Sequence, residues 1–262
     1  MIRVLFVGDV SGSEGRRAVG RMLAALRSRH GAHFAVVNAE NAAGGLGITE
    51  ATAAALFDAG ADVMTLGNHA FAKRDAIELV AREPRLLRPA NYPSGAPGSG
   101  WGVFECGRSR IGVANLLGRV FMEPLDCPFA AAETIINDLR EKADAIVLDM
   151  HAEATSEKVA MGWRLDGRAS AVIGTHTHVQ TSDERVLPRG TAYITDAGMT
   201  GVVDSVLGMD VDVVLAKFTT GLPGKFALAK GECALQGVVL DIDDTTGLAA
   251  GIERINVRES EF

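Results

Sequence analysis

Ile173-Gly174-Thr175-His176-Thr177-His178-Val179 is the stretch on which the reading of this chain turns. It continues an apolar segment, Ala171 to Ile173, with the character of a buried strand, so both imidazoles stand where that strand runs out. In an extended backbone, residues two apart face the same side. The spacing therefore aims two imidazole nitrogens into one space, which suits metal ligation better than packing. The chain holds six histidines, and His69, His151, His176 and His178 all fall just past expected strands. Polar residues gather at strand ends in any protein, but here carboxylates and amides occupy equivalent places upstream.

Working back from that stretch, the first half alternates strand and helix. Val4 to Val7 is an apolar run ending in Gly8-Asp9, and Arg16 to Arg29 carries helical periodicity through Val19, Met22, Leu23 and Leu26. Phe34 to Val37 reads as a second buried strand ending in Asn38-Ala-Glu40-Asn41. A helix follows from Thr49 to Ala59, with Thr49 as N-cap and Gly60 as its stop. Val63 to Leu66 is a third strand, ending in Gly67-Asn68-His69. Such alternation predicts βαβ units and a mainly parallel sheet. Further on, Trp101 to Glu105 and Arg110 to Ala114 form an expected hairpin, and Ala145 to Leu148 a buried strand leading to Asp149 and His151. Helices are expected over Ala131 to Leu139 and Ser156 to Arg164. The last quarter reads as strand-rich, through Ala192 to Ile194, Val211 to Leu215, Ala234 to Leu240 and Ile252 to Val257. Tyr92 to Gly102, with two prolines and four glycines, is expected to be a loop and not a domain boundary.

A length of 262 residues is ample for one sizeable core, and a single domain over 1–262 is expected. With 47% hydrophobic and 23% charged residues the composition is that of a globular chain. A formal net charge of −7 and scattered Lys and Arg argue against non-specific nucleic-acid or membrane-surface binding. No apolar run approaches the roughly 18 residues that span a bilayer, and Met1 to Asp9 reads as a first strand, not a signal peptide. Cys106, Cys127 and Cys233 are far apart and outside any CxxC spacing, so a reducing cytoplasm is the expected home. A homo-oligomer stays open.

Open α/β sheets place ligands beyond the carboxyl ends of their strands. The residues there are Asp9, then Glu40 and Asn41, Asn68 and His69, His151, and His176 with His178. Together they supply carboxylates, amide oxygens and imidazoles enough for two adjacent divalent cations, with Glu40 able to bridge. Absence of thiolate favours manganese, iron or zinc over calcium or copper(I), and magnesium would keep more water than such a cage leaves it. Paired metals about 3.5–4 Å apart lower the pKa of a shared water to give an attacking hydroxide and neutralise phosphate oxygens in phosphoester hydrolysis. The departing alkoxide still needs a proton, which a nearby histidine outside the ligand set can donate.

These blocks carry a family resemblance. Gly8-Asp9, Gly67-Asn68-His69, His151 and Gly174-Thr-His-Thr-His178 follow in order the blocks of the calcineurin-like metallophosphoesterases. Asn38-Ala-Glu-Asn41, Arg88-Pro-Ala-Asn-Tyr-Pro93, Asn115-Leu-Leu-Gly-Arg119, His151-Ala-Glu-Ala-Thr-Ser-Glu-Lys158 and Thr220-Gly-Leu-Pro223 resemble the bacterial YmdB-type branch nearly end to end. The resemblance implies a four-layer α/β/β/α sandwich and a two-metal phosphodiesterase acting on small cyclic nucleotides, including 2′,3′-cyclic AMP. Carried over by position, it implies that Asp9, Glu40, Asn41 and His178 hold one metal. Glu40, Asn68, His151 and His176 would hold the other, and His69 would be the proton donor.

The chain departs from the wider superfamily at Ser11, where a histidine is usual, at Glu40 in place of a bridging aspartate, and at Ala70, where an acidic residue usually orients the histidine before it. The first two agree with the YmdB-type branch. The third leaves open what fixes His69. Asp149 is a candidate partner for a ligand, Asp196 stands after a further strand, and Arg119 could meet a phosphate or face solvent. Two other functions use the same residues: a phosphomonoesterase on the same metals, and a regulatory metalloprotein that binds nucleotide or RNA ends with little turnover.

Overall fold

The computed structural model describes residues 1–262. The chain runs β1 (Ile2–Val7), β2 (Asp9–Val10), α1 (Gly12–His30), β3 (Phe34–Asn38), α2 (Glu50–Asp58), β4 (Val63–Thr65), α3 (Arg74–Arg82) and β5 (Leu86–Leu87). It continues through β6 (Trp101–Cys106), β7 (Ser109–Leu117), α4 (Pro128–Arg140), β8 (Ala145–His151), α5 (Thr155–Leu165) and β9 (Ala171–Thr175). The last elements are β10 (Arg185–Val186), β11 (Ala192–Ile194), β12 (Met199–Val202), α6 (Val211–Thr220), β13 (Cys233–Ile242) and β14 (Ala249–Arg258). One sheet is ordered β2-β12-β13-β1-β3-β4-β5 with β14 also on β13, and the other β10-β11-β9-β8-β7-β6. Strands β1, β3, β4 and β5 run parallel, as do β7, β8, β9 and β11, while β13 returns antiparallel beside β1.

Alternation along β1 shows how the layers form. Leu5 and Val7 join Val19, Met22, Leu26, Leu56 and Leu79 in a core under α1, α2 and α3. Val4 and Phe6 point the other way and meet Val113, Val147, Ile173 and Ile194 of the second sheet. A third core packs Leu116 and Leu148 against Ile136, Leu139, Met161 and Leu165 of α4 and α5. Helix, sheet, sheet, helix is the four-layer order expected. Thr49 caps α2 by accepting from Thr52 N, and Gly60, at φ 109°, follows its last turn. No helix is long and apolar enough to cross a membrane.

One expected strand is absent. Val211 to Leu215 is not a strand but the start of α6, capped by Asp210 accepting from Val213 N. Val-Asp-Val-Val-Leu has strand-like residue types, yet only Val214 of α6 is buried. The cap and its exposed position, with no strand to pair with, outweigh β-propensity. Helix α3 and the short strands β5 and β12 add elements for which the pattern carried no clear signal.

Candidate metal centre

Both sheets end at one rim, and every residue expected to serve the site lies there. Gly8 carries β1 across to Asp9, and a Cβ at Gly8 would overlap the Gly198 carbonyl. Asn38 Oδ1 accepts from Glu40 N at 3.1 Å, turning the chain after β3 so that the Glu40 carboxylate enters the centre. Gly67 lies against it, since a Cβ there would overlap both Glu40 Oε2 and the His151 ring. Glu40, His151 and His176 bring one ligand atom each within 4.8 Å of one another. His176 Nδ1 lies 3.1 Å from His151 Nε2, and His151 Nε2 directly contacts Glu40 Oε2. On the other side, His178 Nε2 is 3.3 Å from Asn41 Oδ1 and 4.0 Å from Asp9 Oδ1. The Asn41 amide nitrogen donates to Gly45 O, which leaves its oxygen facing His178.

The histidine pair does not reach this place by strand alternation. β9 ends at Thr175, and His176 and His178 take φ of 97° and 64°. Left-handed backbone at a side-chain-bearing residue costs about 1–3 kcal/mol and persists only when its surroundings hold it. Two buried carboxylates do so. Asp9 Oδ2 accepts from His176 N at 3.1 Å, and Asp196 Oδ2 accepts from Thr177 N at 3.0 Å and from its hydroxyl at 2.6 Å. Lys158, wholly buried, donates to Asp196 at 2.9 Å and to Thr175 O at 2.9 Å. Asp196 thus shapes the candidate metal loop without entering the centre, and Lys158 had no expected role beyond closing the word that begins at His151.

A relay fixes His151. Its Nδ1 is 2.8 Å from Thr175 Oγ1, and that hydroxyl donates to Asp149 Oδ1 at 2.6 Å, so it accepts from the imidazole N–H. Nε2 is then turned toward Glu40, to which it donates while the ring is protonated, and it offers a lone pair only once that proton leaves. Asp149 Oδ2 also accepts from Asn38 at 2.9 Å and from Thr65 at 2.5 Å. Asp149 is therefore the partner the sequence raised as a candidate, acting through Thr175. For His69 the orienting group is Glu40, whose Oε1 accepts from His69 N at 2.7 Å and lies 3.0 Å from His69 Nδ1. Asn68 Nδ2 is 3.2 Å from His69 Nε2.

The electrostatics are those of a cage awaiting positive charge. Burial opposes a charged Glu40, but His151 and His69 overcome it and hold the carboxylate well below its usual range. Burial likewise opposes a charged His151, yet Glu40 and then Asp9 push it up to about 9. His176 is driven down to about 3 by burial and by neighbouring His151. Burial raises Asp9 against the pull of His178 and His151. Asp9 Oδ1 and Asn68 Oδ1 are buried without a hydrogen-bond partner, and Glu40 Oε2 meets only the His151 imidazole. Buried oxygens left unpaired are costly, and both belong to expected ligands. The donor set and its unmet oxygens fit divalent metal.

Comparison with known proteins places the chain in a family. The profile of the family described as YmdB-like protein matches residues 5–255. This chain belongs to the YmdB-like family. It is 48% identical over 261 residues to a 2′,3′-cyclic-nucleotide 2′-phosphodiesterase of Bacillus subtilis strain 168, covering 100% of this chain and 99% of that protein. A crystal structure of a hypothetical protein from Thermus thermophilus superposes with TM-score 0.93 at 43% identity, over 98% of this chain and 100% of the other. A novel phosphatase of Mycoplasma pneumoniae superposes with TM-score 0.91 at 35% identity, over 98% and 93%. The YmdB-like words Asn38-Ala-Glu-Asn41 and His151 to Lys158 fall on the Glu40 turn and on the Lys158 support of the metal loop.

Proposed function

We propose that this chain, as one domain over 1–262, is a cytoplasmic phosphodiesterase that opens cyclic nucleotides such as 2′,3′-cyclic AMP with two transition-metal ions, manganese or iron ahead of zinc. The observation that carries this reading is the convergence of the Glu40 carboxylate with His151 and His176, together with buried, partnerless oxygens on Asp9 and Asn68. The B. subtilis relative's activity supports the substrate class. Asp9, Glu40, Asn41 and His178 would hold one ion, and Glu40, Asn68, His151 and His176 the other. Bound there, the ions neutralise phosphate oxygens and acidify a water.

The chain's own groups do the rest. Water adds to phosphorus, the P–O2′ bond breaks, and the 3′ oxygen keeps the phosphate. His69, half-buried and held by Glu40, gives its proton to the departing O2′. Thr175 and Asp149 keep His151 in the tautomer that presents Nε2. The test compares 2′,3′-cyclic AMP, 3′,5′-cyclic AMP and AMP as substrates, with metal analysis of the same sample. Ring opening faster than phosphate release from AMP, with two ions per chain, is expected. Faster release from AMP would establish the monoesterase instead, and binding without turnover the regulatory metalloprotein.

A further inference from the structure

We propose that Phe121 is the platform on which the substrate's nucleobase stacks beside the metal centre. The inference rests on the cyclic-nucleotide reading above and names the residue that would recognise the base. The segment between β7 and α4 leaves the rim next to a ligand: Leu117 is in register with His151, and Gly118 N donates to His151 O at 2.9 Å. Arg119 O then accepts from Met122 N at 3.3 Å, closing a tight turn with Phe121 at its third position. Phe121 has φ 62°, a conformation that turns reserve largely for glycine. The turn is firmly held. The largely buried Glu157 carboxylate accepts from Arg119 N at 3.0 and 3.1 Å and from Val120 N at 3.3 Å. Met122 Sδ accepts from Glu153 N at 3.3 Å, and Glu153 Oε2 lies 3.2 Å from His176 Nε2. The Phe121 ring is nevertheless 89% exposed.

A phenylalanine with strained backbone and a ring in water contributes nothing to the fold. Its placement is explained by something that covers the ring. Tyr92 is packed edge-on against Phe71 with ring centroids 5.3 Å apart. Burial, then Glu123 of the Phe121 segment, then Glu40 raise the Tyr92 phenol to about 12, so the segment and the metal centre converge on it. An aromatic face at the mouth of a phosphodiester site matches a base, because every base offers a π-face. The test uses Phe121→Ala, Phe121→Gly and Phe121→Trp with three measurements. These are KM for 2′,3′-cyclic AMP, KM for glycerol 1,2-cyclic phosphate, which has the same ring diester but no base, and Kd for 3′-AMP by calorimetry. Phe121→Ala and Phe121→Gly should raise the nucleotide KM and Kd about fivefold to a hundredfold, while KM for the glycerol diester stays put. Phe121→Trp should retain nucleotide affinity. Phe121→Gly, freed of the left-handed strain, should melt no lower than wild type, which separates the loss from misfolding. Unchanged nucleotide KM and Kd, equal losses on the glycerol diester, or a wild type that does not bind 3′-AMP would overturn the inference. A wild type that binds 3′-AMP but leaves 2′,3′-cyclic AMP intact would instead fell the phosphodiesterase reading, and the Kd series would still decide Phe121.

Discussion

Glu40 does two jobs at once: one oxygen meets the His151 imidazole, and the other holds His69 by its backbone and lies beside its ring. It thereby replaces the acidic residue that Ala70 cannot supply. If His69 donates a proton and binds no metal, His69→Ala should keep its metal and lose about 10²–10⁴-fold in turnover of 2′,3′-cyclic AMP. The loss should shrink on bis(p-nitrophenyl) phosphate, whose leaving group scarcely needs protonation. Equal rate ratios on the two substrates, or metal loss from the variant, would remove His69 from that role. Thr175 acts one step further out. Thr175→Val deletes the hydroxyl that accepts from His151 Nδ1, so metal affinity measured by titration should fall about 10–100-fold with the fold intact. An unchanged affinity would show that the relay does not set the His151 tautomer.

At the scale of elements, strand ends deliver the candidate ligands, and the connections after them are held to tight tolerances. Gly67 closes β4 against the centre with no room for a methyl group. Gly67→Ala should fold, because its space lies at the rim and not in a core, but should bind metal weakly when titrated. The β9 exit depends on Lys158 reaching from α5 to Asp196 and Thr175 O. Lys158→Met would leave the buried Asp196 carboxylate without its counter-cation, at a cost of about 3–5 kcal/mol in urea unfolding. Replacing Asp196 by Leu in the same chain should recover part of that stability without restoring metal affinity, because Thr177 still lacks its acceptor. Recovery of both would mean that the ion pair does not shape the metal loop. Helix α6 marks the limit of residue-type reasoning: its branched residues read as a strand, and only the Asp210 cap and the lack of a partner strand make it a helix.

For the whole molecule, the centre is a shared fastening of the two sheets, since Asp9 and Glu40 come from one and His151 and His176 from the other. A cation that binds only the folded chain stabilises it by mass action. Chelation should therefore lower the melting temperature, and added manganese should restore it in a concentration-dependent way. The pH dependence follows from His151. Its proton, retained up to about 9 in the metal-free chain by Glu40 and Asp9, must leave when a cation arrives. Metal binding then releases protons and tightens as pH rises toward that value. Calorimetry in buffers of different ionisation enthalpy would read the released proton directly. Affinity that is flat with pH would contradict it.

A candidate ligand set could be put forward from residue types alone, because metal chemistry depends on which donor atoms a chain offers and strand ends are marked by where apolar runs stop. The alternating strands and helices of the first half, and the layers they imply, follow from the same short-range periodicity. What only the tertiary structure decided involves partners far apart in the chain. Asp9 and Asp196 bend His176-Thr177-His178 out of the extended path that the spacing suggested. Asp149 reaches His151 only through Thr175, and Glu40 takes over the orientation of His69. A local pattern records which side of its own element a residue faces. Whether a buried oxygen finds a hydrogen or is left for a cation depends on groups that folding brings from far along the chain, as it does for Asp9 and His176.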